Sequence, residues 1–318
     1  MKQQLFEQQH QKTWELVEQS LEKPNSAQNS MLLAEHYMLM CQHLALSKQR
    51  LYDNALIERL NKLVMRLYRE LYRYRTESRL NFYGFFVRDF PLSIYRHRFF
   101  IGLALLVFLL PALIAGGWVY FDENAIYSVL DGPDVRGVEQ MYDPAANKIG
   151  REREADTDVY MFGFYIQNNI SVAFRCFAGG LLAGIGTLFV LFFNGLYIGS
   201  IAGHLTRLDF VDTFYPFVVG HGSFELTAIV FSGAAGLKLG YSILNPGQFS
   251  RLNSLRLAGR ESIPMLYGIV LMLVIAAFME AFWSSSASLA INLKYTVGAI
   301  CWILVLLYSF SGKRFESR

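Results

Sequence analysis

The sequence is poor in charge and in cysteine. Charged residues make up 17% of its 318 residues, against about 25% in soluble proteins, and hydrophobic residues reach 53%. The net charge of +3 is too small to indicate a nucleic-acid-binding surface. Cys41, Cys176 and Cys301 show no CxxC spacing, which excludes a disulfide framework and a zinc knuckle. The composition therefore predicts a protein whose natural solvent is the lipid bilayer.

The motifs of common enzymes are missing too. The chain has no GxSxG nucleophile elbow, no GxxxxGK[ST] phosphate loop, no HExxH zinc motif and no SxxK pair in a plausible setting. We therefore predict a protein that is not an enzyme and binds no cofactor, and any energy-coupled function would need a partner ATPase. The N-terminal stretch is polar and helix-prone and lacks the pattern of a secretory signal, which predicts a cytoplasmic N-terminus.

Residues 1–98 are predicted to form a cytoplasmic helical domain. Apolar residues recur there at helical spacing between charged ones, which is typical of a small antiparallel bundle with a solvated basic face. The same face could instead dock an acidic partner or anionic lipid headgroups. Residues 81–97 are rich in aromatic residues and arginine, which predicts an interfacial segment that leads into the membrane.

The first transmembrane helix is predicted at residues 99–120. These residues include no charged side chain and are numerous enough to cross about 30 Å of hydrocarbon. Residues 121–158 follow as a loop with ten acidic residues against four basic ones, whereas arginines crowd the other end of the helix. The positive-inside rule then places the acidic loop outside and residues 1–98 inside.

Residues 159–312 are predicted to form a transmembrane helical bundle, followed by a cytoplasmic tail at residues 313–318. The bundle ends in a helical hairpin closed by a serine-rich turn at residues 284–288. The stretch 162–205 is too long for one ordinary crossing, and glycines near its middle predict a break. Two crossings there make six in all, which we favour because the arginines at 251–260 then lie inside. A single bent helix makes five.

Glycines at four-residue spacing recur along the predicted membrane helices. Such spacing lets helix backbones approach closely in a bilayer, where packing drives association. We expect these glycines either to pack helices within one chain or to form a homodimer face, and we predict a homodimer. The glycines are Gly180, Gly184, Gly195, Gly199, Gly203, Gly236 and Gly240.

Polar residues within the apolar half form the candidate site. A polar group buried in hydrocarbon without a partner is costly, so each of these residues implies a partner. Counting from the segment ends places two histidines and two glutamates at a similar depth, near the outer side in the six-crossing arrangement. Four-residue spacing puts His221 and Glu225 on one helix face. The predicted cluster is Asn168, Asn169, Arg175, Asn194, His204, His221, Glu225 and Glu280.

Three interpretations of this cluster stay open. It can be a structural hydrogen-bonded network in which Arg175 or the histidines neutralise the two glutamates. It can be a proton- or ion-linked switch, because histidine titrates near neutral pH. It can be a metal or hydrolytic centre with His204, His221 and Glu225 as candidate ligands, although HxxxE spacing alone is a weak signal and no metal site is predicted.

Four stretches make the chain resemble the stage II sporulation protein M family: FGFYIQNNISVAFRCFAGG at 162–180, LFFNGLYIGSIAGHL at 191–205, GHGSFELTAIVFSGAAG at 220–236 and AAFMEAFWSS at 276–285. The resemblance is closest to long bacterial members that bear an N-terminal helical domain, and it covers essentially the whole chain. The family's hallmark positions, carried over to this chain, are Asn168, Asn169, Asn194, Gly195, His221, Gly222, Glu225 and Glu280.

The resemblance implies a multi-pass protein of the bacterial cytoplasmic (inner) membrane with a scaffolding role. The family's name comes from a sporulation protein that holds cell-wall hydrolases in the septal membrane. Long members are typically encoded beside a MoxR-type AAA ATPase and von Willebrand type A domain proteins. A non-catalytic scaffold or assembly factor that links such a cytoplasmic partner to envelope processes is therefore expected. The alternatives are a transporter, channel-like or lipid-handling protein that uses the His and Glu cluster, and an intramembrane metal hydrolase.

Overall fold

The computed structural model describes residues 3–22, 29–76, 82–145, 157–286 and 288–316, and the regular elements in these ranges are all helical. The prediction of an all-α chain is confirmed. The predicted acidic loop falls outside the described residues at 146–156, as do residue 287 of the serine-rich turn and residues 317–318 of the tail. The α-helices are α1 (Gln3–Glu22), α2 (Asn29–Gln49), α3 (Asn54–Thr76), α4 (Phe82–Gly84), α5 (Phe90–Arg96), α6 (Arg98–Phe121), α7 (Gly132–Tyr142), α8 (Thr157–Ala178), α9 (Ile185–Arg207), α10 (Val211–Leu244), α11 (Arg251–Phe278) and α12 (Ile291–Phe310).

The chain divides into two compact units, Met1–Asn81 and Phe82–Arg318. The N-terminal unit contains α1, α2 and α3, whose apolar faces enclose one core built around Phe6, Trp14 and Met40. Trp14 Nε1 donates a hydrogen bond to His43 Nδ1 at 3.0 Å inside that core. This unit therefore has a hydrophobic centre of its own, as expected of a helical bundle that forms a separate domain.

Within the described part of the second unit, five helices are long and apolar enough to cross a membrane: α6, α9, α10, α11 with its continuation to Ser284, and α12 with its continuation to Phe315. The more polar α8 runs beside them over a similar height. Its Phe162 ring lies 6.3 Å from that of Phe278 at one end, and Gly180 abuts Gly236 near the other. The protein is thus a multi-pass membrane protein, and the sixth crossing through α8 stays a prediction.

Contacts between the helices of the second unit show that they alternate in direction. Helix α10 runs antiparallel to α11, because Lys238 pairs with Glu261 at 2.5 Å near one end and His221 meets Ser284 near the other. Helix α10 is also the central helix, since it contacts α6, α8, α9, α11 and α12. The buried residues at the centre of the unit therefore belong to α10 and to the helix faces that pack against it.

The chain reverses between α8 and α9 where the glycines predicted a break. A 3₁₀ turn spans Gly179–Leu181, and Gly184 then adopts φ +87°. This left-handed conformation is strained for any residue with a β-carbon, so glycine permits the turn. The reversal turns the 162–205 stretch into two helices and not one bent helix.

All seven predicted packing glycines are buried inside a single chain. On α9, Gly195, Gly199 and Gly203 lie against the backbone of α6, and a β-carbon at Gly199 would overlap the Ala112 carbonyl. The other four bring α10 against the turn between α8 and α9. These glycines therefore pack helices within one chain. They do not form the exposed face on which the homodimer prediction was based.

Residues 82–97, which the sequence analysis grouped with the N-terminal domain, belong to the membrane unit. The Phe90 ring covers Gly268 of α11, and Tyr308 Oη donates to the Phe86 carbonyl at 2.7 Å. The aromatic residues that predicted an interfacial segment therefore pack residues 82–97 against α11 and α12.

The described part of the predicted external loop is folded. Val119 of α6, Ile126 and Val135 share one small core, and Thr213 Oγ1 donates to the Tyr142 carbonyl at 2.6 Å. Helix α7 thus lies over the ends of α6, α9 and α10, at the same end of the unit as His221 and Ser284.

Candidate polar centre between α10 and α11

Three of the predicted residues come together where α10 meets the end of α11. Potential ligand atoms of His221, Glu225 and Glu280 all lie within 4.8 Å of one another. His221 and Glu225 lie one turn apart on α10, and Glu280 faces them from the final turn after α11. The antiparallel packing of the two helices brings these residues together although they are far apart in the sequence.

Glu280 lies in a π-helical turn, Met279–Ser284, that continues α11. A π-helical turn accommodates an additional residue, which rotates the following side chains relative to an α-helix. Such turns occur frequently at functional sites. Here the turn contains both Glu280 and Ser284, the two α11-side residues that reach toward His221.

Ser284 and Lys294 complete the polar centre, and sequence reasoning missed both. Ser284 Oγ lies 3.1 Å from His221 Nδ1, and Lys294 Nζ donates to the Ser284 carbonyl at 2.7 Å. Lys294 is only 2% exposed. It lies in the first turn of α12, where a lysine resembles an ordinary flanking charge. Its isolation as the one charged residue in the stretch 289–310 was the signal that could have identified it.

Asn169 approaches the same centre from α8. Its side chain is 2% exposed and faces the Glu225 carboxyl. Asn168 Nδ2 donates to Asn169 Oδ1 at 3.2 Å, but the Asn169 Nδ2 has no hydrogen-bond partner of standard geometry. Buried amide groups are rarely left without a partner, so this one marks a place where a further group can bind.

His204 is not part of this centre, contrary to the prediction. Its Nε2 pairs with Glu139 Oε1 of α7 at 2.8 Å, and its side chain is 4% exposed against 35% for Glu139. Counting depth from the segment ends was misleading here, because residues at equal depth can face different neighbours. His204 fastens α7 to α9 instead.

Asn194 and Arg175 also lie apart from the centre. Asn194 Nδ2 donates to the Val190 carbonyl of its own helix at 2.7 Å. Arg175 is exposed, and its Nε donates to the Ser171 carbonyl one turn earlier at 3.3 Å. The expectation that Arg175 neutralises the glutamates is therefore wrong. The buried Lys294 approaches the centre through the Ser284 carbonyl instead.

The centre is built to hold positive charge. Two carboxylates this close repel each other unless a proton, an ammonium group or a bound cation compensates. One imidazole with two carboxylates is also a ligand set suited to zinc, manganese or iron. The same geometry can therefore support a charge-balanced network or an ion site.

A second candidate site lies in the N-terminal unit. Glu18 of α1 and residues of α3 line a groove of about 440 Å³: Glu18, Arg59, Asn61, Lys62, Leu63, Met65, Arg66 and Arg69. Arg59 pairs with Glu18 at 3.2 Å and lies over the Trp14 ring, which fixes one wall. Four basic residues against one acidic residue make the groove positive, so it favours an acidic ligand.

Comparison with known proteins identifies the membrane unit. The family model for stage II sporulation protein M matches residues 104–285, and a domain of unknown function matches residues 4–73. An uncharacterized protein of the archaeon Methanocaldococcus jannaschii is 26% identical over 155 residues, which cover 43% of this chain and 81% of the relative. No solved structure matches the chain. Because the family model covers more than half of the sequence, the chain belongs to the stage II sporulation protein M family.

Proposed function

We propose that this protein is a non-catalytic scaffold of the bacterial cytoplasmic membrane that binds a cytoplasmic partner through its N-terminal unit. The observation that carries the proposal is the positive groove on a unit that has its own core. A unit of this kind, joined to a multi-pass membrane unit, brings a soluble partner to the bilayer. Residues 122–145, which pack on the membrane unit through Val119 and Thr213, then offer a surface for a second contact.

The proposed orientation has six crossings with both termini in the cytoplasm. Basic residues gather at one end of the membrane unit, with Arg96, Arg98 and Lys313 among them, whereas acidic residues gather in 122–145 at the other. The positive-inside rule supports this orientation. Single cysteines introduced at Arg50 and Asp131 of a cysteine-free variant test it in whole cells. Only the second should react with a membrane-impermeant maleimide, and the reverse pattern would overturn the orientation.

The partner should carry an acidic segment that enters the groove. A MoxR-type AAA ATPase with its von Willebrand type A domain companions is the partner class that we propose. Such an ATPase would supply the energy coupling for which the chain itself has no phosphate-binding loop.

In-cell photo-crosslinking tests the scaffold. A photoreactive residue at Asn61, inside the groove, should give a covalent adduct with a MoxR-type ATPase identified by mass spectrometry. The double charge reversal Arg66→Glu with Arg69→Glu should abolish the adduct, because it reverses the groove's sign. Lys12→Glu, a charge reversal at an exposed position of α1 outside the groove, should leave it unchanged. Loss of the adduct in Lys12→Glu alone, or no adduct in the parent chain, would contradict the proposal.

The polar centre favours ion or lipid handling as a second candidate function. Its support is the pair of carboxylates beside His221 within the apolar unit, since ionisable groups at such positions often line substrate paths. Purified protein in liposomes should then conduct ions or move lipid, and Glu225→Gln should stop it. Absence of any flux, with partner binding intact, leaves the scaffold as the function.

A further inference from the structure

We infer that His221, Glu225 and Glu280 form a binding site for one divalent transition-metal ion of the zinc type. Their potential ligand atoms lie within 4.8 Å of one another. An ion at the centre of that triangle is at most about 2.8 Å from each atom, and zinc binds nitrogen and oxygen at about 2.0–2.2 Å. Side-chain movements of less than about 1 Å therefore close the site around an ion.

The imidazole of His221 is held as metal ligands commonly are. Metal-binding histidines usually engage one ring nitrogen in a hydrogen bond, which orients the other nitrogen toward the ion. Ser284 Oγ lies 3.1 Å from His221 Nδ1, and the Phe217 backbone also interacts with the imidazole. With Nδ1 engaged by the serine, Nε2 is the nitrogen that we assign to the metal. Lys294 in turn donates to the Ser284 carbonyl, so the supporting serine is itself fixed.

Asn169 supplies the second, independent observation. It is buried, it lies within interaction distance of the Glu225 carboxyl, and its Nδ2 makes no hydrogen bond of standard geometry. A bound metal with a water molecule would give this amide an acceptor.

The chemistry of the ligands selects the class of ion. Calcium and magnesium take oxygen ligands almost exclusively, whereas zinc, manganese and iron accept imidazole readily. Three protein ligands also leave one position of a tetrahedral zinc ion open, as in sites where the metal acts on a bound molecule. The inference concerns the membrane unit alone, and a failure of the partner experiment above leaves it unaffected.

Metal content of the full chain in nanodiscs tests the inference. The protein, purified with a tag that contains no histidine, is loaded with zinc chloride and dialysed. We expect about one zinc ion per chain, measured by inductively coupled plasma mass spectrometry. Glu280→Gln and His221→Ala should each lose most of it, whereas the matched control His204→Ala should retain it, because His204 pairs with Glu139 away from the site. No zinc in the parent protein, or equal loss in His204→Ala, overturns the inference.

Two further readouts distinguish loss of the metal from a general folding defect. A chelator should lower the melting temperature of the parent protein and leave that of Glu280→Gln unchanged, and an equal response of both would overturn the site. Ser284→Ala leaves all three ligands in place and removes the serine contact to His221, so it should weaken zinc affinity roughly 10-fold or more. Unchanged affinity in Ser284→Ala would mean that His221 is not oriented in this way.

Discussion

The membrane unit contains two helix seams of opposite character. Between α6 and α9, glycines let the two backbones touch, and a β-carbon at Gly195, Gly199 or Gly203 would overlap a carbonyl group of α6. Between α10 and α11, histidine, glutamate and serine side chains face one another. Small residues suffice to join helices in a bilayer, as the first seam demonstrates. The ionisable groups of the second seam are therefore not needed for packing, and this difference is the strongest indication that they bind something.

The largest expected effect is at the glycine seam. Gly199→Leu forces a side chain into the Ala112 carbonyl, and overpacking without room to relax should destabilise the unit by about 3 kcal/mol or more. Unfolding in a denaturing detergent measures the loss. Gly102→Leu is the matched control on α6, since a β-carbon there meets nothing within 4 Å. Equal tolerance of both changes would refute the structural role of this seam.

Lys294→Met tests the charge balance of the polar centre between α10 and α11. It removes a buried ammonium group that donates to the Ser284 carbonyl, next to the side chain that contacts His221, which should destabilise the metal-free protein by about 3 kcal/mol. Bound zinc supplies positive charge of its own, so the loss should be at least halved when zinc is present. Unfolding of the variant with zinc and with chelator measures the difference. An identical loss under both conditions would mean that Lys294 acts only through its hydrogen bond to the Ser284 carbonyl.

The third effect concerns the His204–Glu139 pair, which serves as a structural counterpart to the polar seam. Glu139→Gln weakens a hydrogen bond to a nearly buried histidine and should cost about 2 kcal/mol, with faster proteolysis within residues 122–145. Arg207→Gln breaks the more exposed pair with Glu123, whose side chain is 69% exposed, and should cost less than about 1 kcal/mol. Neither variant should change the zinc content. A change in either would mean that zinc binding depends on the His204–Glu139 or Arg207–Glu123 pair.

His43 provides the smallest effect and a contrast with His221. Burial, together with nearby His10, lowers the pKa of His43, and its Nδ1 must stay unprotonated to accept the Trp14 indole hydrogen. The unfolded chain binds a proton more readily, so the N-terminal unit should be fully stable above the ordinary value near about 6.5 and lose stability as pH falls below it. Hydrogen exchange of α1–α3 in the full chain, corrected for intrinsic rates, measures this. His43→Gln should flatten the dependence, and an unchanged slope would locate the titration elsewhere.

Hydropathy and glycine spacing predicted most of the fold. The apolar stretch 99–120, the break near Gly184 and the hairpin around residues 284–288 all follow from local sequence, because chain reversals and bilayer spans depend on short segments. The packing of residues 82–97 on the membrane unit could not be predicted in the same way. It depends on the contact between Phe90 and Gly268, which are far apart in the sequence.

The polar centre was predictable only in part. Four-residue spacing correctly paired His221 with Glu225, but no local rule distinguished Glu280, which belongs to the centre, from His204, which does not. That distinction depends on which way each helix face is turned. The π-helical turn at Met279–Ser284 is decisive for Glu280 and has no clear sequence signature.

X-ray absorption at the zinc edge of the loaded full chain tests the central claim most directly. A zinc ion held by His221, Glu225 and Glu280 should show a shell of nitrogen and oxygen ligands at about 2.0–2.2 Å with the scattering of a single imidazole, and Glu280→Gln should lose that spectrum. A sulfur shell near about 2.3 Å, more than one imidazole, or the same spectrum in Glu280→Gln would place the metal elsewhere. The α10–α11 seam would then be a structural network like any other.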